Sequence, residues 1–282
     1  MIAKVAVERP FAQVDVFSDR PLLGNPVAVV LDAVGLSAER MQAFTDWTNL
    51  SEATFVLPAT RSEADYRVRI FCPGTELPFA GHPTLGTCHA WLESGGSPAG
   101  DLIVQECEAG LIRIRRHGDM LSFAAPPLRR GGLLEDEALA RVTEGLGLAA
   151  SDVVASQWCD NGPPWQAVLL ESADHVKAVV PDRRALDGMF VGVVGPYDAG
   201  DVHVEVRAFF PGSAGTTEDP VTGSLNAALA PWLVASGTAP RSYVAGQGGA
   251  LGRDGRVHID CIGTDVWVGG ESTTVLSGLA VI

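Results

Sequence analysis

A lone carboxylate in an apolar stretch is the residue best placed for chemistry. Glu52 is the only acid in Asn49-Leu50-Ser51-Glu52-Ala53-Thr54-Phe55-Val56-Leu57. Apolar neighbours raise a carboxyl pKa, by ~3–5 units when burial is complete. An acid or base poised near neutrality is what proton transfer at carbon requires. Residue type alone leaves Glu52 open as a surface acid ahead of a strand. Two further segments carry polar groups at what read as helix starts. The first is Ala80-Gly81-His82-Pro83-Thr84-Leu85-Gly86 and the second Glu218-Asp219-Pro220-Val221-Thr222-Gly223-Ser224. Pro83 and Pro220 suit a first helical position, where a missing N–H is harmless. Asp219 then falls at the N-cap, and His82, its counterpart, is a poor cap. Two helix starts rich in Gly81, Gly223 and hydroxyl residues leave N–H groups for an anion. The competing reading is two capped core helices with small residues for close packing.

These segments belong to an internal repeat. Arg69-Ile70-Phe71-Cys72-Pro73-Gly74 returns as Arg207-Ala208-Phe209-Phe210-Pro211-Gly212, an offset of 138, and the two prolines are 137 apart. A repeat at half the chain length implies two related halves facing a cleft. Their expected bounds are 1–125 and 126–270, with 271–282 returning to the first. Pro126-Pro127 and Arg129-Arg130-Gly131-Gly132 mark the crossing.

Helices are expected at Ser37 to Trp47, Pro83 to Glu93, Glu135 to Leu146 and Val221 to Ala235. Their caps and spacing carry the reading. Short alternating or apolar runs read as strands. They include Gln13 to Phe17, Val27 to Leu31, Thr54 to Leu57, Tyr66 to Phe71, Ala167 to Glu171, Val176 to Val180, Val202 to Phe209 and Thr274 to Ile282. Each half then has one long helix without charges. Such a helix must be buried, and a sheet wrapped around it is the natural solution.

Composition narrows the classes. The chain has 282 residues, 46% hydrophobic and 19% charged, with a net charge of -14. That excludes nucleic acid and anionic membrane surfaces as expected partners. No run of 18 apolar residues is present, so no membrane-spanning helix is expected. The five cysteines form no C-x-x-C pair, which fits a reduced cytoplasmic protein. His203-Val204-Glu205 offers two metal ligands without a third and reads as a solvated face. No nucleotide-binding glycine motif and no cofactor or metal signature appears.

Four segments in order resemble one known family. They are Leu23-Gly24-Asn25-Pro26-Val27-Ala28-Val29, Asn49 to Val56, Ala80 to Gly86, and Glu218 to Ser224. Together they look like the PhzF family of phenazine-biosynthesis isomerases. The resemblance implies an α+β diaminopimelate epimerase-like fold: two pseudo-symmetric halves, each a barrel-like sheet around a central helix, with the active site in the cleft. It implies a cofactor-free isomerase or epimerase moving a proton within a small carboxylate-bearing substrate, and a homodimer. Glu52 matches the catalytic glutamate; His82, Asp219 and Ser224, with Gly81 and Gly223, match the substrate-binding residues. Two-thiol racemases of this fold hold a cysteine at each helix start. Here those places fall at Ala80 and about Val221, so a single carboxylate acting on one face remains. The alternative is a non-catalytic protein that binds a small metabolite on the same fold. Loops such as Ser18 to Leu23 and Gln157 to Trp165 would set specificity, with Trp158 and Trp165 able to reach a ring.

Overall fold

The computed structural model describes residues 7–212 and 215–282. The chain forms two compact units, Met1–Phe123 with Gly270–Ile282, and Ala124–Gly269. Strands dominate both, and the class is mixed α+β.

The first unit runs β1 (Glu8–Val16), β2 (Asn25–Val30), α1 (Ala38–Thr48), β3 (Ala53–Leu57), β4 (Tyr66–Cys72), β5 (Thr75–Leu77), α2 (Gly81–Glu93), β6 (Ile103–Cys107), β7 (Gly110–His117) and β8 (Met120–Ala124). β1 is antiparallel to β2, β2 parallel to β3, and β3 antiparallel to β4. β4 then pairs antiparallel with β5 and parallel with β6, which continues antiparallel into β7 and β8. The second unit runs α3 (Asp136–Leu146), β9 (Val153–Asp160), β10 (Pro164–Leu170), α4 (Ala173–Ala178), β11 (Val191–Pro196), β12 (Val204–Gly212), β13 (Gly215–Asp219), α5 (Gly223–Ala235), β14 (Ser242–Gln247), β15 (Gly255–Ile262) and β16 (Asp265–Gly270). From β9 to β16 its ladders repeat the sequence of β1 to β8, antiparallel and parallel in the same places. The last strand, β17 (Ser272–Val281), pairs antiparallel with β1.

The repeat holds residue by residue through the first strands. Val30 faces Phe55 and Phe55 faces Arg69, as Val168 faces Val193 and Val193 faces Arg207. All are offset by 138. The β12–β13 hairpin then extends two pairs further than β4–β5, from Phe209↔Glu218 out to Gly212↔Gly215. The helices therefore begin 142 apart, at Gly81 and Gly223. This corrects the helix starts expected from the prolines. Pro83 is the third residue of α2, and Pro220 lies ahead of α5. Neither is a first helical residue. Pro83 is tolerated because its N–H would also lack an intrahelical acceptor. Asp219 ends β13 and is not an N-cap; that place belongs to Thr222.

The two helices with almost no charge are buried as their composition requires; the one acid between them, Glu93, is the last residue of α2. α2 buries Gly81 through Cys88 and packs on β1, β2, β3 and β17. α5 buries eight of its thirteen residues and packs on β9 and β15. Close approach explains Gly86. A Cβ there would lie 2.4 Å from Val27 Cγ1 and 2.9 Å from Val16 Cγ2. Gly86→Ala is therefore expected to lower stability by ~1–3 kcal/mol, although alanine is the better helix former. A denaturation midpoint at or above wild type would refute that packing argument.

α1 begins at Ser37, whose hydroxyl accepts from the Arg40 N–H at 3.4 Å. α3 ends at Gly147 in the left-handed region, and its Val142 and Leu146 join the core with Val168, Val191 and Phe209. One expectation fails: Val176 to Val180 is not a strand. Ser172 caps α4, accepting from the His175 N–H at 3.4 Å, and turns Val176 into the core. No helix of the described residues is long and apolar enough to cross a membrane.

Candidate active site

Glu52 is set between a helix stop and a strand. α1 ends at Asn49, whose φ of 56° reverses the chain. Three residues later the Glu52 carbonyl accepts from the Ala28 N–H at 3.4 Å, tying it to β2. Its side chain is 17% exposed. Glu52 Oε2 lies 3.3 Å from Nε2 of His82, the second residue of α2. On the ring's other side, Nδ1 is 3.4 Å from Asn25 Nδ2 at the head of β2. The α2 start, the β2 head and the chain entering β3 thus converge on one imidazole.

Burial decides that ring's charge. Desolvation lowers the His82 pKa to about 3, opposed by a hydrogen bond to the Pro26 backbone. Pro26 offers only a carbonyl, so the ring donates there. A ring neutral at pH 7 faces Glu52 as a dipole and not as the cation of an ion pair. The consequence for stability has a definite sign. The unfolded chain takes up a proton near pH 6.5, which the native ring refuses until about pH 3. Stability is therefore lost as pH falls through that window, by up to roughly 5 kcal/mol from this group. Urea midpoints at pH 7 and pH 4 should differ more for wild type than for His82→Asn. Equal differences would refute the assignment.

Cys72, at the end of β4, stands in the field of Glu52. Burial first, then the Glu52 charge, pushes its thiol up to about 11. Burial also raises Cys88 and Cys159 to about 12, and Cys107 and Cys261 upward. None is a thiolate at neutral pH.

The second unit presents Asp219, Gly223 and Ser224 around the start of α5. Asp219 Oδ2 accepts from the Thr222 hydroxyl at 2.6 Å. Gln247 serves in place of a side-chain cap. Its Oε1 accepts from the Thr222 N–H and from Asn226 Nδ2, both at 3.0 Å, while its Nε2 donates to the Asp219 carbonyl and the Thr222 hydroxyl. Gly223 and Ser224 are the first two helical residues, as Gly81 and His82 are in α2. Ser224, and not Asp219, is thus the repeat counterpart of His82. Neither helix has a side-chain cap bond at its N-cap residue, Ala80 or Thr222.

Glu52 also has a counterpart. Phe190 precedes β11, and its carbonyl accepts from the Gln166 N–H at 2.8 Å, just as Glu52 accepts from Ala28. Where one unit has a carboxylate, the other has a hydrocarbon ring. Phe190 packs edge-on against Trp165 at 5.4 Å.

Several roles were invisible beforehand. Asn25 lies in the segment Leu23 to Val29, but nothing local marks it as a partner for His82. Trp165 is only 2% exposed and donates to Ser224. Trp158 donates to Glu135 and lies under the Arg130 guanidinium, 3.7 Å from its ring centre. The expectation that His203 and Glu205 form a solvated face fails. Glu205 is 5% exposed and accepts from the Tyr197 hydroxyl at 2.8 Å, and burial raises its pKa. Among the described residues no three ligands cluster for a metal.

The chain is similar to proteins with known names. A model of the phenazine biosynthesis-like protein family, PhzC-PhzF, matches residues 14–278. A Schizosaccharomyces pombe protein called antisense-enhancing sequence 1 is 37% identical, over 98% of this chain and 99% of its own. A trans-2,3-dihydro-3-hydroxyanthranilate isomerase of Pseudomonas aeruginosa is 34% identical, over 88% of each. The solved structure of a predicted epimerase from P. aeruginosa matches with a TM-score of 0.79 at 27% identity, over 97% of this chain and 99% of that one. A family match across nearly the whole length, with a matching fold and isomerases among the relatives, places this chain in the PhzC-PhzF phenazine biosynthesis-like family as an isomerase.

Proposed function

We propose that the chain is a cofactor-independent isomerase that shifts a proton from one position to another within a small carboxylate-bearing substrate, with Glu52 as acid and base. The observation that carries this is the 3.3 Å contact between Glu52 and a buried, neutral His82 at a helix start without a side-chain cap. A carboxylate takes the proton from carbon. Nearby N–H groups and the imidazole hold the charge that then develops on the substrate. The same carboxylate returns the proton to a second position on the same face. Phe190 at the repeat-equivalent place argues against a second base. Asp219, Ser224, Gly81 and Gly223 bind the substrate in this reading. For Asp219 and Ser224 the support is the family resemblance of their segment. The matching ladders of the two units support the pseudo-symmetric diaminopimelate epimerase-like fold.

The substrate named for the Pseudomonas isomerase, trans-2,3-dihydro-3-hydroxyanthranilate, is the first compound to try. In deuterium oxide, turnover should place solvent deuterium on carbon, read by proton NMR. A ligand that raises the melting temperature yet never exchanges would instead make the chain a metabolite-binding protein.

A further inference from the structure

Asp15, near the end of β1, is a buried acid that the chemistry proposed above does not use. It is 2% exposed. Its Oδ2 accepts from the Gly24 N–H at 2.9 Å, nine residues along the chain. Its Oδ1 is buried and has no hydrogen-bond partner. A buried carboxyl oxygen in that state weighs against folding. Stability alone therefore does not account for an acid at this position.

The turn that Asp15 closes is strained. Phe17 and Leu22 take φ of 68° and 73°, a region that side chains of their size rarely adopt. Phe17 is fully buried in it. Its N–H and that of Ser18 both donate to the Glu271 carbonyl, at 2.8 and 3.2 Å. At the exit of the turn, Gly24 is closed in by β1. A Cβ there would lie 2.2 Å from the Val16 carbonyl oxygen and 3.1 Å from Asp15 Oδ1. Strained backbone persists only where its surroundings over-determine it, and it gathers at functional sites.

What the turn delivers is Asn25. It follows Gly24 directly, is 0% exposed, and sets its Nδ2 3.4 Å from His82 Nδ1. The other ring nitrogen is the one 3.3 Å from Glu52. The ring is rigid, so holding Nδ1 also sets where Nε2 points. We infer that Asp15 is a positioning residue: by holding the Gly24 N–H it fixes the strained turn into β2, so that Asn25 stays against His82 and the imidazole keeps one orientation toward Glu52. Asp15 touches neither Glu52 nor the reacting atoms in this reading; it acts through Asn25.

The imidazole reports on this without a substrate. In protein carrying isotope-labelled histidine, the ring signals of His82 are those that His82→Asn removes from the nitrogen NMR spectrum. Asn25→Ala should displace the Nδ1 signal, and the inference falls if it does not. Asp15→Leu keeps the bulk but has no acceptor. It should displace the signal to the same place, and combining the two substitutions should move it no further. A merely structural clamp would lower the melting temperature and leave the ring signal where it was, which overturns the inference. A shift in the double variant beyond either single one also overturns it, since Asp15 would then act by a route other than Asn25. Should Asp15→Leu not fold, Asp15→Asn carries the test. It offers Gly24 an uncharged, weaker acceptor and must move the signal part of the way; an unmoved signal overturns the inference.

Turnover of trans-2,3-dihydro-3-hydroxyanthranilate adds a second arm, which rests on the proposed role of His82. In either single variant kcat should fall about tenfold, the scale of one hydrogen bond, with KM little changed and no further loss in the double variant. If His82→Asn turns over like wild type, the role of His82 falls, and the ring signals still decide the role of Asp15.

Discussion

Glu52→Gln is expected to reduce turnover by ~10²–10⁴-fold or more while leaving the melting temperature unchanged or higher. The kinetic arm follows from the proposed role. A positioned acid–base group contributes on that scale, and a sole shuttle, with Phe190 at the only repeat-equivalent position, has no deputy. The stability arm follows from the surroundings. Glutamine keeps the shape and can offer a hydrogen bond to His82, which lies 3.3 Å from the carboxylate. It also removes a charge from a side chain that is only 17% exposed. Charges in such places weigh against folding unless fully paired. A variant that keeps more than about a tenth of wild-type turnover on the true substrate would remove Glu52 from the mechanism.

The second large effect is expected at a buried ion pair that takes no part in the chemistry. Arg207 bonds Glu218 with two parallel contacts, 2.8 and 2.9 Å long, and their side chains are 6% and 4% exposed. A third guanidinium nitrogen donates to the Val179 carbonyl at 2.6 Å, beyond the end of α4. Glu218→Ala leaves an uncompensated cation there and should cost ~3–5 kcal/mol. That corresponds to a melting point lower by roughly 10 °C. The repeat supplies the control. Arg69 and Glu76 make the same two-pronged pair, but their side chains are 23% and 29% exposed. Water solvates them, and Glu76→Ala should cost only ~1 kcal/mol. Equal losses from the two variants, measured by denaturant titration, would contradict a burial-based account.

Local signals carried much of the fold into the sequence. Ser37 announces a helix start through its side-chain hydroxyl, and helices almost without charge announce their burial. The repeat was legible at Arg69 and Arg207 because strand register is conserved along matched ladders. It was misread at Pro83 and Pro220 because a hairpin lengthened by two pairs shows no mark in residue type. α4 was misread as a strand because Val176, Val179 and Val180 are β-branched. Its six residues are too few for a helical period to stand out. At the site, Glu52 and His82 were visible as types in motifs. Asn25, Gln247 and Trp165 were not, because their roles depend on partners 57, 25 and 59 residues away.

The return of β17 to β1 sets the order in which the molecule can be made. Glu8 pairs with Val281, so β1 waits for β17 to be made. All of Ala124–Gly269 is translated in between, about 10–30 s of synthesis at typical rates. Throughout that interval the backbone edge of β1 that β17 will cover is open to any passing strand. The second unit can close before the first, although it begins later. The danger of misassembly during synthesis is therefore concentrated at residues 8–16 until residues 272–281 have been made.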